Sequence, residues 1–134
     1  MRKKNWAWAP RRIRAQPSED EKAAIVAACD KFVIEFLKPR FLPSIRATKF
    51  NGPIDIYGKW LGGRYRFIER SRLDDPDAIE PEFEHAFARL DYLAPDRFDV
   101  MWHRHTGQWW RLHPSVSLLD ALRFLEQDGR LHPL

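Results

Sequence analysis

The chain has 134 residues, 44% of them hydrophobic and 13% aromatic, so it can bury a core and is not disordered throughout. Its formal net charge is +4 and it has one cysteine, which excludes an intramolecular disulfide. No apolar run reaches the roughly 20 residues that a membrane span needs. These features predict one domain in a reducing compartment, and therefore a cytoplasmic location.

The positive charge is concentrated at the N-terminus. Two prolines and the lack of a helical period predict that residues 1–17 form an extended arm in front of a single domain over residues 18–134. No acid lies among the first fourteen residues, so this arm is a candidate for contacting nucleic acid or an acidic partner, with phosphates on cations and bases on indoles. Its candidate residues are Arg2, Lys3, Lys4, Trp6, Trp8, Arg11, Arg12 and Arg14. Alternatively, the tryptophans pack on the domain and the charges are solvated.

An N-terminal helix is predicted directly after the arm. Ser18 and Glu21 have the spacing of a capping box, and apolar residues then recur every three or four positions. Pro39 is expected to end this helix because a proline disfavours helical geometry in the residue before it. Cys29 lies on the apolar stripe, so it is interpreted as a small buried hydrophobe and not as a nucleophile.

The middle of the chain is rich in β-forming residues separated by turn signals. The segment 82–92 fits a helical face as well as a strand, but the tight turn predicted at 93–97 favours a strand hairpin. The expected strands are therefore 54–60, 64–70, 82–92, 97–104 and 108–112.

A last helix is predicted after Ser117, which has the character of an N-cap, and Gly129 is expected to end it in the left-handed conformation. The whole pattern predicts an α+β fold, an antiparallel meander of about five strands with an N-terminal and a C-terminal helix packed on one face. The other face of the sheet should carry some combination of cations, drawn from Lys59, Arg64, Arg66, Arg70, Arg89 and Arg104.

The hairpin around Gly107 is the most distinctive stretch. Its turn is explained by folding alone, yet exposed turns on rigid hairpins often bind partners, so Arg104, His105, Gln108 and Trp109 are candidate recognition residues. A rival hypothesis is a metal site or an enzyme centred on the histidines of this hairpin, since the alternation of His103 and His105 is compatible with zinc. No cofactor is predicted, because neither a P-loop nor a dinucleotide fingerprint is present.

Several motifs together resemble one bacterial family. They are Lys3-Lys4-x-Trp6-x-Trp8-x-Pro10, Asp55-Ile-Tyr-x-Lys-Trp60, Phe87-Ala-Arg-Leu-Asp-Tyr92 and, most specifically, Arg104-His-Thr-Gly-Gln-Trp-Trp110. The chain is similar over nearly its whole length to domain of unknown function 3024. The resemblance implies a bacterial origin and supplies no reaction.

These observations favour a non-enzymatic binding or accessory module. Its basic aromatic arm would contact a nucleic acid, a ribonucleoprotein or an acidic protein surface. The two alternatives are the histidine-centred metalloprotein or enzyme, and a homo-oligomer in which the arm of one subunit docks on the next.

Overall fold

The computed structural model of the protein describes residues 16–42, 52–72, 77 and 82–133. Within them a helical N-terminal segment precedes five strands, and a helix follows the last strand. The elements are α1 (Glu19–Phe32), a π-helical turn (Val33–Leu37), α2 (Lys38–Phe41), β1 (Gly52–Leu61), β2 (Arg64–Arg72), β3 (Glu82–Ala94), β4 (Arg97–His103), β5 (Trp109–Val116), α3 (Leu118–Gln127) and a 3-10 turn (Gly129–Leu131).

The strands form one antiparallel sheet in the order β1-β2-β3-β4-β5, which confirms the predicted α+β meander. The ambiguous segment 82–92 is a strand, as preferred. Strand β5 is longer than expected and runs past Pro114 to Val116. A proline is tolerated there because β5 lies at the edge of the sheet, where a missing N–H need not break a ladder.

The first helix begins as predicted, with the Ser18 hydroxyl accepting a hydrogen bond from the backbone N–H of Glu21 at 3.1 Å. The prediction that Pro39 ends it is wrong, because helical backbone continues to Phe41. A wide turn over Val33–Leu37 comes just before the proline, and the N–H of Lys38 donates to the carbonyl of Val33. Pro39 then occupies the first turn of α2, where its missing N–H is not needed.

Both helices pack on one face of the sheet and share a single core. Cys29 of α1 and Leu125 of α3 are fully buried in it, together with Phe67, Leu90 and Val100 from the strands. The interpretation of Cys29 as a buried hydrophobe is confirmed, and burial raises the pKa of its thiol far above the ordinary value.

The end of α3 differs from the prediction for Gly129, which does not adopt the left-handed conformation. Asp128 ends the helix in an extended conformation instead, and its carboxylate accepts a hydrogen bond from the backbone N–H of Arg130 at 3.1 Å. The short polar side chain therefore supplies the stop that was attributed to glycine. None of the helices in the described ranges is long and apolar enough to cross a membrane.

Candidate functional site

The face of the sheet that points away from the helices carries most of its charge, and we call it the open face. Side chains alternate between the two faces along each strand, and directly paired residues of neighbouring strands share a face. Phe67, Leu90 and Val100 fix which face belongs to the core. Ile68 and Met101 are buried but stay outside the core cluster, which places them on the open face.

A row of cations crosses the open face at right angles to the strands. Lys59 pairs with Arg66, Arg66 with Arg89, Arg89 with Met101, and Met101 with Arg111. We call these five residues the cationic row. Three cations, Lys59, Arg66 and Arg89, lie directly opposite one another, and like charges in such positions destabilise a sheet unless other groups offset them.

The arginines of the cationic row differ in how they are held. Arg89 makes a two-pronged contact with Asp91, with Nε and Nη2 donating at 2.7 Å and 3.0 Å. Arg111 Nη1 lies 3.9 Å from an oxygen of Asp99. The Nη1 atom of Arg66 is buried and makes no hydrogen bond with any part of the chain that the structure describes. A buried cationic donor without a partner is costly, and an anion would satisfy it.

A second row, which we call the acidic row, lies on one side of the cationic row. It pairs Arg64 with Asp91 and Asp91 with Asp99. Both aspartates are buried, at 3% exposure each. Asp91 also lies 3.7 Å from Arg64, and Asp99 accepts a hydrogen bond from the backbone N–H of Ser115 at 3.0 Å. These acids offset part of the positive charge but only along one flank.

The opposite flank is apolar and aromatic. It pairs Tyr57 with Ile68 and Ile68 with Ala86, and on the far strands it pairs His103 with Trp109. We call these five residues the aromatic row.

The aromatic row has planar contacts with its neighbours. The His103 and Trp109 rings lie 4.7 Å apart, and the guanidinium of Arg89 lies 4.5 Å above the indole of Trp109. The ring of His85 lies 4.9 Å from that of His103. Burial, and secondarily the charge of His103, lower the pKa of His85, which favours its neutral form near neutral pH.

A model of a protein family, described as "Domain of unknown function (DUF3024)", matches residues 17–132. The chain belongs to this family. The match covers α1, the whole sheet and α3, and it confirms the resemblance drawn from the motifs. No curated protein and no solved structure matches the chain significantly.

The predicted recognition residues of the DUF3024 hairpin fall in three different places. Arg104 lies on the helix side of the sheet, where its guanidinium lies 4.9 Å from the Trp110 ring and 5.6 Å from the Trp102 ring. His105 and Gln108 are exposed in the turn, while Trp109 lies in the aromatic row. Five of the six cations predicted for the face opposite the helices lie on the open face. Arg104 lies on the helix side instead, and the prediction did not include Arg111.

The histidines of the hairpin do not converge. His103 lies in the aromatic row and His105 in the turn, whereas His113 stacks on Phe124 of α3 at 3.7 Å. Across the described ranges, no three His, Cys, Asp or Glu side chains are grouped so that they could hold a metal ion. The arrangement therefore gives no support to a centre built from these histidines.

The candidates of the arm, from Arg2 to Arg14, lie outside the described residues. The first residue that the DUF3024 structure describes is Gln16. Gln16 lies beside the turn between β1 and β2, with its amide nitrogen 3.1 Å from the position that a Cβ on Gly63 would take. Gly63 lies in the turn between β1 and β2, so Gln16 lies at this end of the sheet.

Proposed function

We propose that this protein is a non-enzymatic binding module that holds a nucleic acid on the open face of its sheet, with the basic arm adding further phosphate contacts. The cationic row is the observation that carries the proposal. Asp91 and Asp99 offset the charges of Arg89 and Arg111, but Lys59 is exposed and Arg66 has a buried donor without a hydrogen bond in the described ranges, so bound phosphates would stabilise these two cations. Binding would also release the counterions condensed on the nucleic acid, which is the main source of affinity in such complexes.

The row holds its cations along one line, interrupted by the neutral Met101, and this linear arrangement favours a nucleic acid over an acidic protein surface. Neighbouring strands lie about 4.8 Å apart, so the row presents its positive groups in a line about 19 Å long. A sugar–phosphate backbone offers evenly spaced anions along such a line. Carboxylates on a protein surface have no such regularity.

The arm extends the same surface. Fifteen extended residues reach roughly 50 Å, which exceeds the width of the sheet. Because Gln16 lies beside the turn between β1 and β2, an arm of this length could bring its cations to a ligand that lies on the open face. Cations of the arm and of the cationic row would repel each other unless an anion lies between them.

The test is a binding titration of labelled oligothymidylate against the full chain at several salt concentrations. Lys59→Ala removes an exposed cation of the row, and Lys31→Ala removes an exposed cation of α1 as the matched control. Loss of one phosphate contact should make the slope of log affinity against log salt shallower by about 0.7. We expect this change for Lys59→Ala and none for Lys31→Ala.

Two results would contradict the proposal. One is affinity that does not depend on salt, and the other is an equal loss in both variants. Competition with polyglutamate tests the alternative of an acidic protein partner. If the surface binds carboxylates, polyglutamate should displace the labelled oligonucleotide as readily as unlabelled oligonucleotide does.

A further inference from the structure

The open face is not symmetric about the cationic row. The acidic row lies on one side and the aromatic row on the other, and the strand register fixes this order across the sheet. A nucleic acid whose phosphates follow the cationic row must therefore direct its bases to one side or the other. The two sides offer bases very different surroundings.

We infer that the ligand is single-stranded and that its unpaired bases lie over the aromatic row. This inference rests on the proposed function and adds the class of nucleic acid to it. The acidic row is unsuited to bases and phosphates alike, because Asp91 and Asp99 are negative and already engaged with arginines and a backbone N–H. The aromatic row offers rings and apolar surface, on which bases of any sequence can stack.

Trp109 lies at one end of the aromatic row, on the edge strand β5. Its indole is half-buried and already packs against a planar cation, the Arg89 guanidinium, at 4.5 Å. The ring of His103 lies at its side, 4.7 Å away. At the other end of the row, Tyr57 is half-buried, with its hydroxyl donating to Glu84 at 2.6 Å. Rings fixed in this way lose little freedom when a base packs against them.

A duplex fits this face poorly. Its bases are stacked within the helix and face each other, so they cannot lie flat on Trp109 or Tyr57. The single line of cations can also follow only one backbone. The row is about 19 Å long, which leaves room for a few nucleotides of one strand.

The test compares three ligands of equal length and label on the full chain, namely oligothymidylate, an abasic deoxyribose-phosphate oligomer and a duplex. We expect oligothymidylate to bind about 5-fold or more tightly than the abasic oligomer, from stacking of at least one base. Trp109→Ala should remove most of that difference. Phe83→Ala, which truncates an exposed aromatic of β3 on the core side, should retain it.

The outcomes separate this inference from the proposed function. Equal affinity for the abasic oligomer and oligothymidylate, or tighter binding of the duplex, overturns the inference while leaving phosphate binding intact. Failure of all three ligands to bind overturns the proposed function as well. If circular dichroism shows that Trp109→Ala does not fold, the comparison of oligothymidylate with the abasic oligomer on the wild-type chain still tests the inference. Tyr57→Ala then provides the second variant.

Discussion

At the level of single residues, Arg104 shows how a side chain expected to bind a partner can be used by the fold. Its guanidinium lies against two indoles, Trp102 and Trp110, on the helix side of the hairpin. A cation over the faces of two rings is attracted by both, and its aliphatic stem covers apolar surface. The side chain therefore helps to hold β4 against β5.

We predict that Arg104→Ala destabilises the fold by about 1 to 2 kcal/mol, because it removes both indole contacts. Arg123→Ala is the control, since this exposed arginine of α3 makes a surface ion pair with Asp120 at 3.0 Å. Its removal should change the free energy of unfolding by less than about 0.5 kcal/mol. Urea denaturation of the two variants measures both values. Equal stability of the two would contradict the structural role of Arg104.

A second prediction concerns Gly58, which faces the core beside Tyr65. A Cβ at this position would lie 1.7 Å from the Tyr65 hydroxyl oxygen, and Tyr65 is fully buried with its hydroxyl bonded to Asp30. Gly58→Ala should therefore cost roughly 1 to 3 kcal/mol through overpacking.

Gly129→Ala is the control for that change, because no atom of the described residues lies within 4 Å of its Cβ position and its φ is not positive. In thermal denaturation, the unfolding midpoint of Gly58→Ala should be lower than that of wild type, and the midpoint of Gly129→Ala should be close to it. A normal midpoint for Gly58→Ala would show that Tyr65 can move away freely.

At the level of elements, the three rows of the open face depend on strand register. Each strand could be predicted from its alternation and its turn residues, including the pair Gly62 and Gly63, which both have positive φ. The register could not, because bulges shift it. One lies in β3, where Ala86 and Ala88 pair with consecutive residues of β2 and leave Phe87 as the extra residue.

The consequence for the site is direct. The sequence could predict which cations lie on the open face, because the alternation of side chains along a strand determines the face and does not require the register. It could not place Lys59, Arg66 and Arg89 opposite one another. It also missed Arg111, since a second bulge beside Val100 decides which residue of β5 meets Met101.

The packing of α3 on β5 gives a prediction about pH. The Asp128 carboxylate lies 3.3 Å from His113 and 2.9 Å from Arg130. Burial acts to raise the pKa of Asp128, but hydrogen bonds from Arg130 and His113 outweigh it and leave the pKa below its ordinary value of 3.8. A carboxyl of this kind stabilises the fold above its unfolded pKa, and the contribution is lost as pH falls through the folded pKa.

We therefore expect Asp128→Asn to be less stable than wild type at neutral pH and to lose less stability between about pH 5 and about pH 2. Glu126→Gln, which alters an exposed carboxyl of the same helix, should follow the wild-type profile. Urea denaturation across this pH range is the measurement. Parallel profiles for wild type and Asp128→Asn would mean that Asp128 does not contribute through its charge.

At the level of the whole molecule, a strongly basic N-terminal sequence, predicted to be an arm, precedes a domain with a cationic face. The domain has its own core, shared by α1, the sheet and α3, and the family match begins at residue 17. Folding therefore should not require the arm, and the arm's charge should contribute to binding. Exchange of arms between subunits stays a prediction, which light scattering of the full chain would test.

We predict that a chain lacking residues 1–15 keeps its circular dichroism spectrum and binds oligothymidylate with a shallower salt dependence. Six cations leave with the arm, and each one that contacts a phosphate accounts for about 0.7 in the slope for a single strand. An unchanged slope would show that the arm takes no part in binding, and loss of the folded spectrum would show that the arm belongs to the core.

The most direct measurement is the footprint of oligothymidylate on the isotope-labelled protein by amide chemical-shift perturbation. Binding on the open face predicts shifts that follow the cationic and aromatic rows across all five strands, strongest near Arg66 and Trp109, with the outer surface of α1 unaffected. Shifts confined to α1 and α3, or to the arm alone, would contradict the assignment of the open face as the binding surface.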